Sequence, residues 1–253
     1  FAFVIITILE TPLKSGLLPT IMSNSKITIL AVSTHPDDVE AGMGGSIIKF
    51  LKYGHDVHIV DLTNGEPTPH GTPEIRREEC EKATGLLGVS DRTNLDLPNR
   101  FLFDNIESRN KLAEVIRRVR PHIMFLPYWE DAHPDHIQAT QIGEAARFYA
   151  KLTKTDLAGE PWYPGRILYY LWSHQRVHIS PAFIVDISEE FESKVEAAKS
   201  YKSQYAYSEE RWQVVTRTMH SCGQYFGSLI GSRYGEPFAS REKIGLRDIR
   251  DLI

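Results

Sequence analysis

Short hydrophobic runs and amphipathic segments alternate along the first 150 residues of the chain. The runs are rich in Ile, Val and Leu, and the segments between them repeat apolar residues every three or four positions. This pattern predicts strands at 27–32, 57–62, 94–97 and 123–126, and helices at 42–53, 74–87, 105–120 and 135–149. Near-continuous apolar strands joined by amphipathic helices indicate a mainly parallel sheet with helices on both faces. We therefore predict an α/β fold with three layers, Rossmann-like in architecture.

The pattern changes after a loop at 153–164. Strands are predicted at 166–172 and 182–186, followed by helices at 188–201 and 209–225, with Ser188 as the N-cap of the first. The segment from Tyr234 to Phe238 carries turn residues, and we expect an irregular flap or a subunit contact there. We interpret residues 1–21 as an upstream extension, place residues 1–25 outside the fold, and expect one domain over 26–253.

Composition narrows the class of partner. The 253 residues are 42% hydrophobic and 25% charged, with a formal net charge of −4, which is ordinary for a soluble globular protein. From this charge balance we expect that the protein does not bind nucleic acid. The apolar run at 1–9 is too short to span a membrane. The only two cysteines, Cys80 and Cys222, form no Cys-x-x-Cys pattern. We expect a reducing, cytoplasmic location without disulfides.

A polar motif directly follows the first predicted strand. His35, Pro36, Asp37, Asp38, Val39 and Glu40 would lie at the carboxyl edge of the sheet, where open α/β folds bind ligands. Adjacent carboxylates repel each other unless a cation lies between them. The alternative is a capping turn, since Asp is a good helix cap. The glycines at 42, 44 and 45 miss the dinucleotide-binding spacing, and they fit close packing of a helix on the sheet better.

A second motif, His133-Pro134-Asp135-His136, follows the fourth strand in the same way. Strands one and four of a doubly wound sheet can be neighbours, so the two motifs can meet in one pocket. Two imidazoles and one carboxylate are a common catalytic zinc set, and counting alone leaves open which of the six His and Asp side chains bind the metal. The spacing favours His35, Asp38 and His136, which leaves Asp37 free as a general base.

The remaining polar residues of the two motifs receive supporting roles. His133, if protonated, would stabilise an oxyanion or protonate a leaving amine. Asp135 would cap the following helix and orient His133, and Glu40 would support the first motif. The alternative for each histidine is an exposed or hydrogen-bonded structural role.

The pair of motifs resembles the zinc-dependent N-acetylglucosamine deacetylases of the PIG-L/LmbE type, and the likeness covers nearly all of residues 26–250. The resemblance implies zinc ligands at His35, Asp38 and His136, a base at Asp37, and His133 beside the intermediate. It also implies a homo-oligomer, of which the hexamer is a common form in the family.

Four further segments are similar to the branch of that family that acts in bacillithiol biosynthesis: 61–66, 71–76, 234–238 and 240–246. This resemblance implies sugar contact by Arg76, for which an exposed ion pair is the alternative. We assign substrate contact also to Glu66, Arg100 and Trp129, with packing under the loop as the alternative for Trp129. Asn99 stands where relatives often have Asp, and Val215 stands where some have a Tyr, so we assign no catalytic Tyr.

These observations predict a zinc enzyme that removes acetate from an N-acetylglucosamine conjugate, a small-molecule N-acetyl sugar. The resemblance to the bacillithiol branch implies that this conjugate is N-acetylglucosaminyl malate. Fe2+ is the alternative metal, because two His and one carboxylate suit it as well. The alternative functions are deacetylation of another N-acetyl sugar, metal-dependent esterase or phosphoesterase activity, and glycan binding without catalysis.

Overall fold

The computed structural model describes residues 26–174 and 178–245, which form one seven-stranded sheet and its covering helices. The predicted extension at 1–25 lies outside the described residues. The elements, in chain order, are β1 (Thr28–Ser33), α1 (Asp38–Lys52), β2 (Asp56–Thr63), α2 (Pro73–Leu87), β3 (Asp91–Leu97), α3 (Ile106–Val119), β4 (Ile123–Pro127), α4 (Pro134–Ala150), β5 (Arg166–Tyr170), β6 (Phe183–Asp186), α5 (Phe191–Lys199), α6 (Lys202–Tyr205), α7 (Glu209–Ser228) and β7 (Gly235–Ala239).

The order of strands places the two motifs side by side. The sheet runs β3-β2-β1-β4-β5-β7-β6, and the first five of these strands are parallel to one another. The chain moves outward from β1 to β3 and then returns to the other side of β1, where Ile29 pairs with Ile123. The carboxyl ends of β1 and β4 therefore flank the point where strand order reverses, as the sequence predicts.

Helices cover both faces of the sheet, which confirms the predicted fold class. Side chains alternate along β1, so Leu30 and Val32 join a core beneath α3 and α4, while Ile29 and Ala31 join a core beneath α1 and α5. A third core packs α5, α6 and α7 together around Phe191. Within the described ranges, none of the helices combines the length and the hydropathy that crossing a bilayer requires.

The C-terminal segment differs from its prediction as an irregular flap. Residues 235–239 form β7, an internal strand that is antiparallel to both β5 and β6. Pro237 is tolerated in this short strand, and all five residues are buried. Turn-forming residues dominate the segment, so local propensity hides a strand that tertiary packing imposes.

Two predicted helix starts are also wrong. The helix predicted from Ser188 begins at Phe191, because the Ser188 hydroxyl instead accepts the amides of Arg233 and Tyr234 on the approach to β7. Helix α1 begins at Asp38 and not at residue 42, so the first motif supplies the first turn of the helix. The carboxylates of Asp38 and Glu40 are thereby fixed to a helix and not to a loop.

The packing of α4 on β4 requires a glycine at position 143. A Cβ placed there would lie 2.4 Å from Cδ2 of Leu126, whose side chain is fully buried. We expect Gly143→Ala to lower the free energy of unfolding by about 1–2 kcal/mol, since the strain exceeds the gain in helix propensity. Thermal or urea denaturation measures this change.

Gly85 of α2 is the matched control, because it is exposed and a Cβ there would meet no atom of the described residues within 4 Å. Gly85→Ala should raise the free energy of unfolding by about 0.5–1 kcal/mol. Equal effects of the two substitutions would contradict this account of the α4 packing.

Candidate metal centre

The first motif turns sharply between β1 and α1. Asp37 is the residue before the helix and has φ 134° and ψ −25°, a conformation that L-residues rarely adopt. The Asp38 carboxylate accepts the amide of His35 at 2.9 Å, and the Ser33 hydroxyl donates to the His35 carbonyl at 2.6 Å. These bonds hold the turn, and the unusual backbone directs neighbouring carboxylates 37 and 38 to different surroundings.

The second motif forms the start of α4. Pro134 occupies the first turn, where its missing amide hydrogen costs nothing, and His133 is the N-cap. Nδ1 of His133 accepts the backbone amide of Asp135 at 3.2 Å. Because Nδ1 is an acceptor, the neutral ring carries its proton on Nε2.

The two motifs bring three possible metal ligands together: His35, Asp38 and His136, all buried, with ligand atoms within 4.8 Å of one another. Oδ2 of Asp38 lies 3.3 Å from Nδ1 of His35 and 3.4 Å from Nε2 of His136. That Nε2 is buried and has no hydrogen-bond partner among the described residues. A buried, unpartnered nitrogen facing a carboxylate oxygen fits a metal ligand better than a structural histidine.

Each imidazole of this cluster has a carboxylate at its other nitrogen. Nδ1 of His136 lies 2.8 Å from Oδ2 of Asp131, and Nε2 of His35 lies 3.5 Å from Oδ2 of Asp135. Metal-binding histidines commonly donate their second N–H to a carboxylate, which fixes the tautomer and raises the basicity of the ligand nitrogen. The predicted role of Asp135 changes accordingly, because its carboxylate faces His35, and its hydrogen bond to His133 comes from its backbone amide.

The electrostatics of the cluster call for a cation. Burial lowers the pKa of His35, but hydrogen bonds to Asp135 and Asp38 outweigh it and raise the pKa to about 9. Burial also lowers the pKa of His136, but the charge of Asp38 and the bond to Asp131 raise it to about 10. Without a metal, protons on the two imidazoles balance the carboxylates. A divalent ion supplies the same balance, so the residues present fit a metal.

Asp37 lies outside this cluster and has a different partner. Burial raises the pKa of its carboxyl to about 7, although the charge of Arg76 opposes the shift. Nη1 of Arg76 lies 3.3 Å from Oδ2 of Asp37 and donates to the Pro36 carbonyl at 2.7 Å. A carboxyl that titrates near neutral pH suits proton transfer.

His133 lies beside the cluster, and the charged form considered from sequence is not supported. Burial and the nearby imidazoles of His35 and His136 lower its pKa to about 4. Its ring centroid is 4.8 Å from that of His35. The neutral ring can still donate a hydrogen bond through Nε2, so a stabilising role does not require a charge.

A cavity of about 920 Å³ opens at the cluster. Of the four predicted substrate contacts, Arg76 and Arg100 line it, together with Asp37, His133 and Asn99. Glu66 does not line it: its carboxylate accepts Nε of Arg76 at 3.3 Å and holds that guanidinium in place. Trp129 lies elsewhere, with its ring 4.8 Å from Tyr169, so packing is its observed role.

Glu40 supports the site from beneath. Oε1 of Glu40 accepts Nη1 of Arg92 at 2.6 Å and the hydroxyl of Tyr201 at 2.9 Å. Arg92 also forms a two-pronged contact with Asp61, at 2.7 and 2.8 Å. This buried ion network fixes the first turn of α1 against β2 and β3.

Asp131 and His174 are near the cluster and are missing from the sequence-based set. Oδ1 of Asp131 accepts the backbone amides of His133 and His174, at 2.9 and 3.1 Å. Asp131 follows the carboxyl end of β4, and His174 follows the carboxyl end of β5. The rule that identifies His35 and His133 would therefore have found them if applied to every strand end.

Comparison with known proteins places this site in a family. Residues 30–147 match the PIG-L family, described as GlcNAc-PI de-N-acetylase, and this range contains all of the clustered residues. The diacetylchitobiose deacetylase of Thermococcus kodakarensis is 31% identical over 82% of this chain and 80% of its own length.

Two further similarities extend the comparison. A 1D-myo-inositol 2-acetamido-2-deoxy-alpha-D-glucopyranoside deacetylase of Nocardiopsis dassonvillei is 30% identical over 53% of this chain and 58% of its own length. The crystal structure of a conserved protein of Thermus thermophilus superposes with a TM-score of 0.81 and 35% identity, over 88% of this chain and 98% of the other.

The contact between Asp131 and His136 predicts an effect on metal affinity. Asp131→Asn removes the negative charge beside Nδ1 of His136, a candidate ligand, and we expect zinc affinity to fall by about 10–100-fold. Competition with a chromophoric chelator measures it. Asp91→Asn is the matched control, since Asp91 forms a 2.7 Å contact with His58 far from the cluster. Equal affinities in the two variants would exclude an orienting role for Asp131.

The raised pKa values of His35 and His136 predict release of protons when metal binds. At pH 7 both imidazoles are protonated without metal, because their pKa values of about 9 and 10 lie above the solution pH. Metal binding requires the neutral form, so we expect zinc addition to the metal-free protein to release about two protons. Calorimetry in buffers of different ionisation enthalpy counts them. Release of none would mean that zinc binds elsewhere.

Proposed function

Because this chain belongs to the PIG-L family of GlcNAc-PI de-N-acetylases, we propose that it hydrolyses the acetamide of an N-acetylglucosamine conjugate with the help of a bound metal. The observation that carries the proposal is the different placement of two adjacent carboxylates. Asp38 belongs to the His35 and His136 cluster, whereas Asp37 faces the cavity beside Arg76. A purely structural metal site would have no use for the second carboxylate.

His35, Asp38 and His136 would hold the ion, and Zn2+ is the metal that we propose. A divalent ion in such a site lowers the pKa of a water molecule and polarises a carbonyl group. Fe2+ suits the same donor set, and metal analysis of the purified protein separates the two.

The side chains around the cluster account for the proton transfers of amide hydrolysis. Asp37 takes a proton from the attacking water as the water oxygen bonds to the acetyl carbon. Nε2 of neutral His133 donates a hydrogen bond to the carbonyl oxygen as negative charge develops there. Asp37 then returns its proton to the amide nitrogen as the C–N bond breaks. The products are acetic acid, which ionises to acetate, and a free glucosamine amine.

Arg76 would keep Asp37 in position for these steps. Its guanidinium is buried, with a side chain 3% exposed, and it bridges Asp37 to Glu66 at 3.3 Å on each side. We therefore propose that Arg76 orients the base first of all, and that any sugar contact uses the part of the guanidinium facing the cavity. Arg100, whose amide donates to Asp135, is the second proposed sugar contact.

For the substrate, we propose N-acetylglucosaminyl malate. Support comes from the four segments that resemble the bacillithiol branch of the family, among them the Arg76 segment and the β7 strand. The cavity volume, about 920 Å³, is ample for a sugar with a small acidic aglycone. The second candidate is diacetylchitobiose, which the relative from Thermococcus kodakarensis is named for.

Incubation with a panel of N-acetyl sugars tests the proposal. The panel contains N-acetylglucosaminyl malate, diacetylchitobiose and the inositol conjugate, and acetate release is followed for each with zinc-loaded protein. We expect the malate conjugate to give the highest kcat/KM. Faster turnover of another member corrects the substrate, and release from none of them by metal-loaded protein contradicts the deacetylase proposal.

Substitution of each adjacent carboxylate separates metal binding from catalysis. Asp37→Asn should keep its metal and lose activity by at least about 100-fold, since the general base is lost. Asn is the suitable replacement because it tolerates positive φ better than most residues. Asp38→Asn should lose the metal itself. Elemental analysis and acetate release together measure both effects, and an active Asp37→Asn variant would exclude Asp37 as the base.

A further inference from the structure

Helix α1 is broken one turn after the residues of the metal centre. Met43 has φ −143° and ψ 20°, which is not helical, so the segment from Asp38 is offset from the segment that ends at Lys52. In an unbroken helix the amides of Gly45 and Ser46 would donate to carbonyl groups of the preceding turn. The break leaves both amides in need of another acceptor.

Glu236 of β7 is that acceptor. Oε1 accepts the amide of Gly45 at 3.0 Å and Oε2 accepts the amide of Ser46 at 2.6 Å. A carboxylate at the first amides of a helical segment is stabilising, because it meets both free N–H groups and the positive end of the helix dipole. Glu236 thus caps the second part of α1 from a strand 190 residues away in sequence.

Lys194 of α5 balances the charge of Glu236. Its Nζ donates to Oε1 at 2.6 Å, and the two side chains are 8% and 2% exposed. A Cβ at Gly44 would lie 3.3 Å from Cγ of Lys194, so the glycine leaves room for the lysine to pass. Two sequence features without a role in hydrolysis, the glycines after the first motif and the 234–238 segment, meet at this contact.

We propose that Glu236 is a positioning residue of the metal centre, holding the break in α1 so that Asp38 stays within ligand distance of His35 and His136. Without the two bonds to Glu236, the helix gains by closing its break and regaining its own hydrogen bonds. If α1 straightens, the position of Asp38 relative to Ser46 changes, while His136 stays fixed on α4. The distance between Asp38 and His136 then changes as well. The proposal deepens the function proposed above, since it concerns the same metal site.

Zinc affinity, measured by chelator competition without substrate, tests the proposal. We expect Glu236→Gln to bind zinc at least about tenfold more weakly, as typical for loss of a group that orients ligands. Glu236→Asp, which keeps the charge but is one methylene shorter, is the second variant if the first does not fold. The absorption spectrum of the Co2+-loaded protein should also change, because it reports the ligand arrangement directly.

Glu190→Gln is the matched control. Glu190 is also buried and paired with a lysine of α1, with Oε1 2.7 Å from Nζ of Lys52, but at the far end of the helix. This variant should lose stability and keep wild-type zinc affinity. Wild-type affinity in a folded Glu236 variant, or an equal loss in Glu190→Gln, overturns the proposal.

The outcome separates this inference from the proposed function. Weakened zinc binding by the Glu236 variants, with no acetate release by the wild-type protein, would leave the positioning role intact and remove the deacetylase proposal. Acetate release by the wild type, with unchanged zinc affinity in the Glu236 variants, would support the deacetylase proposal and remove the positioning role.

Discussion

Buried negative charge at the carboxyl ends of β1 and β4 determines the rest of the site. Asp38, Asp131 and Asp135 are all buried within a short distance of each other, and carboxylates are costly in such surroundings unless cations accompany them. Two imidazoles, those of His35 and His136, each contact two of these carboxylates. The negative charge of the carboxylates raises the pKa values of both imidazoles. In the proposed function, a bound metal replaces these protons with an ion of the same sign. The need for positive charge at this position is a property of the fold itself.

Two arginines pair with further buried carboxylates around the cluster. Arg76 pairs with Asp37 and Glu66, and Arg92 pairs with Glu40 and Asp61, each from a buried position. Planar guanidinium groups suit this work, because they contact two carboxylates at once in a fixed geometry. Burial still raises the pKa of the Asp37 carboxyl to about 7, although the charge of Arg76 opposes the shift. In the proposed function, one of the two adjacent carboxylates holds the metal and its neighbour transfers the proton.

Much of this architecture could be predicted from sequence, because it depends on local patterns. The apolar strands and amphipathic helices up to residue 150 gave the sheet, and the repeated position of the two motifs after strands gave the adjacency of His35 and His136. Contacts that join distant segments left no such local signal. The strand at 235–239 reads as a turn, the role of Glu66 depends on a guanidinium from α2, and Trp129 packs on Tyr169. A charged His133 is considered from sequence because the sequence does not show how close the imidazoles of His35 and His136 lie. Burial and these imidazoles lower the pKa of His133.

The position of β7 has a consequence for the order of folding during synthesis. β6 pairs only with β7 among the described strands, and β7 pairs with β5, so β6 joins the sheet after residues 235–239 have emerged from the ribosome. The parallel strands and both histidine motifs are made much earlier, and N-terminal segments generally fold first during translation. The nascent chain can therefore bring the two histidine motifs together before β7, which supplies Glu236, exists. If Glu236 positions Asp38 as we propose, the final geometry of the metal centre is reached only when the sheet is complete.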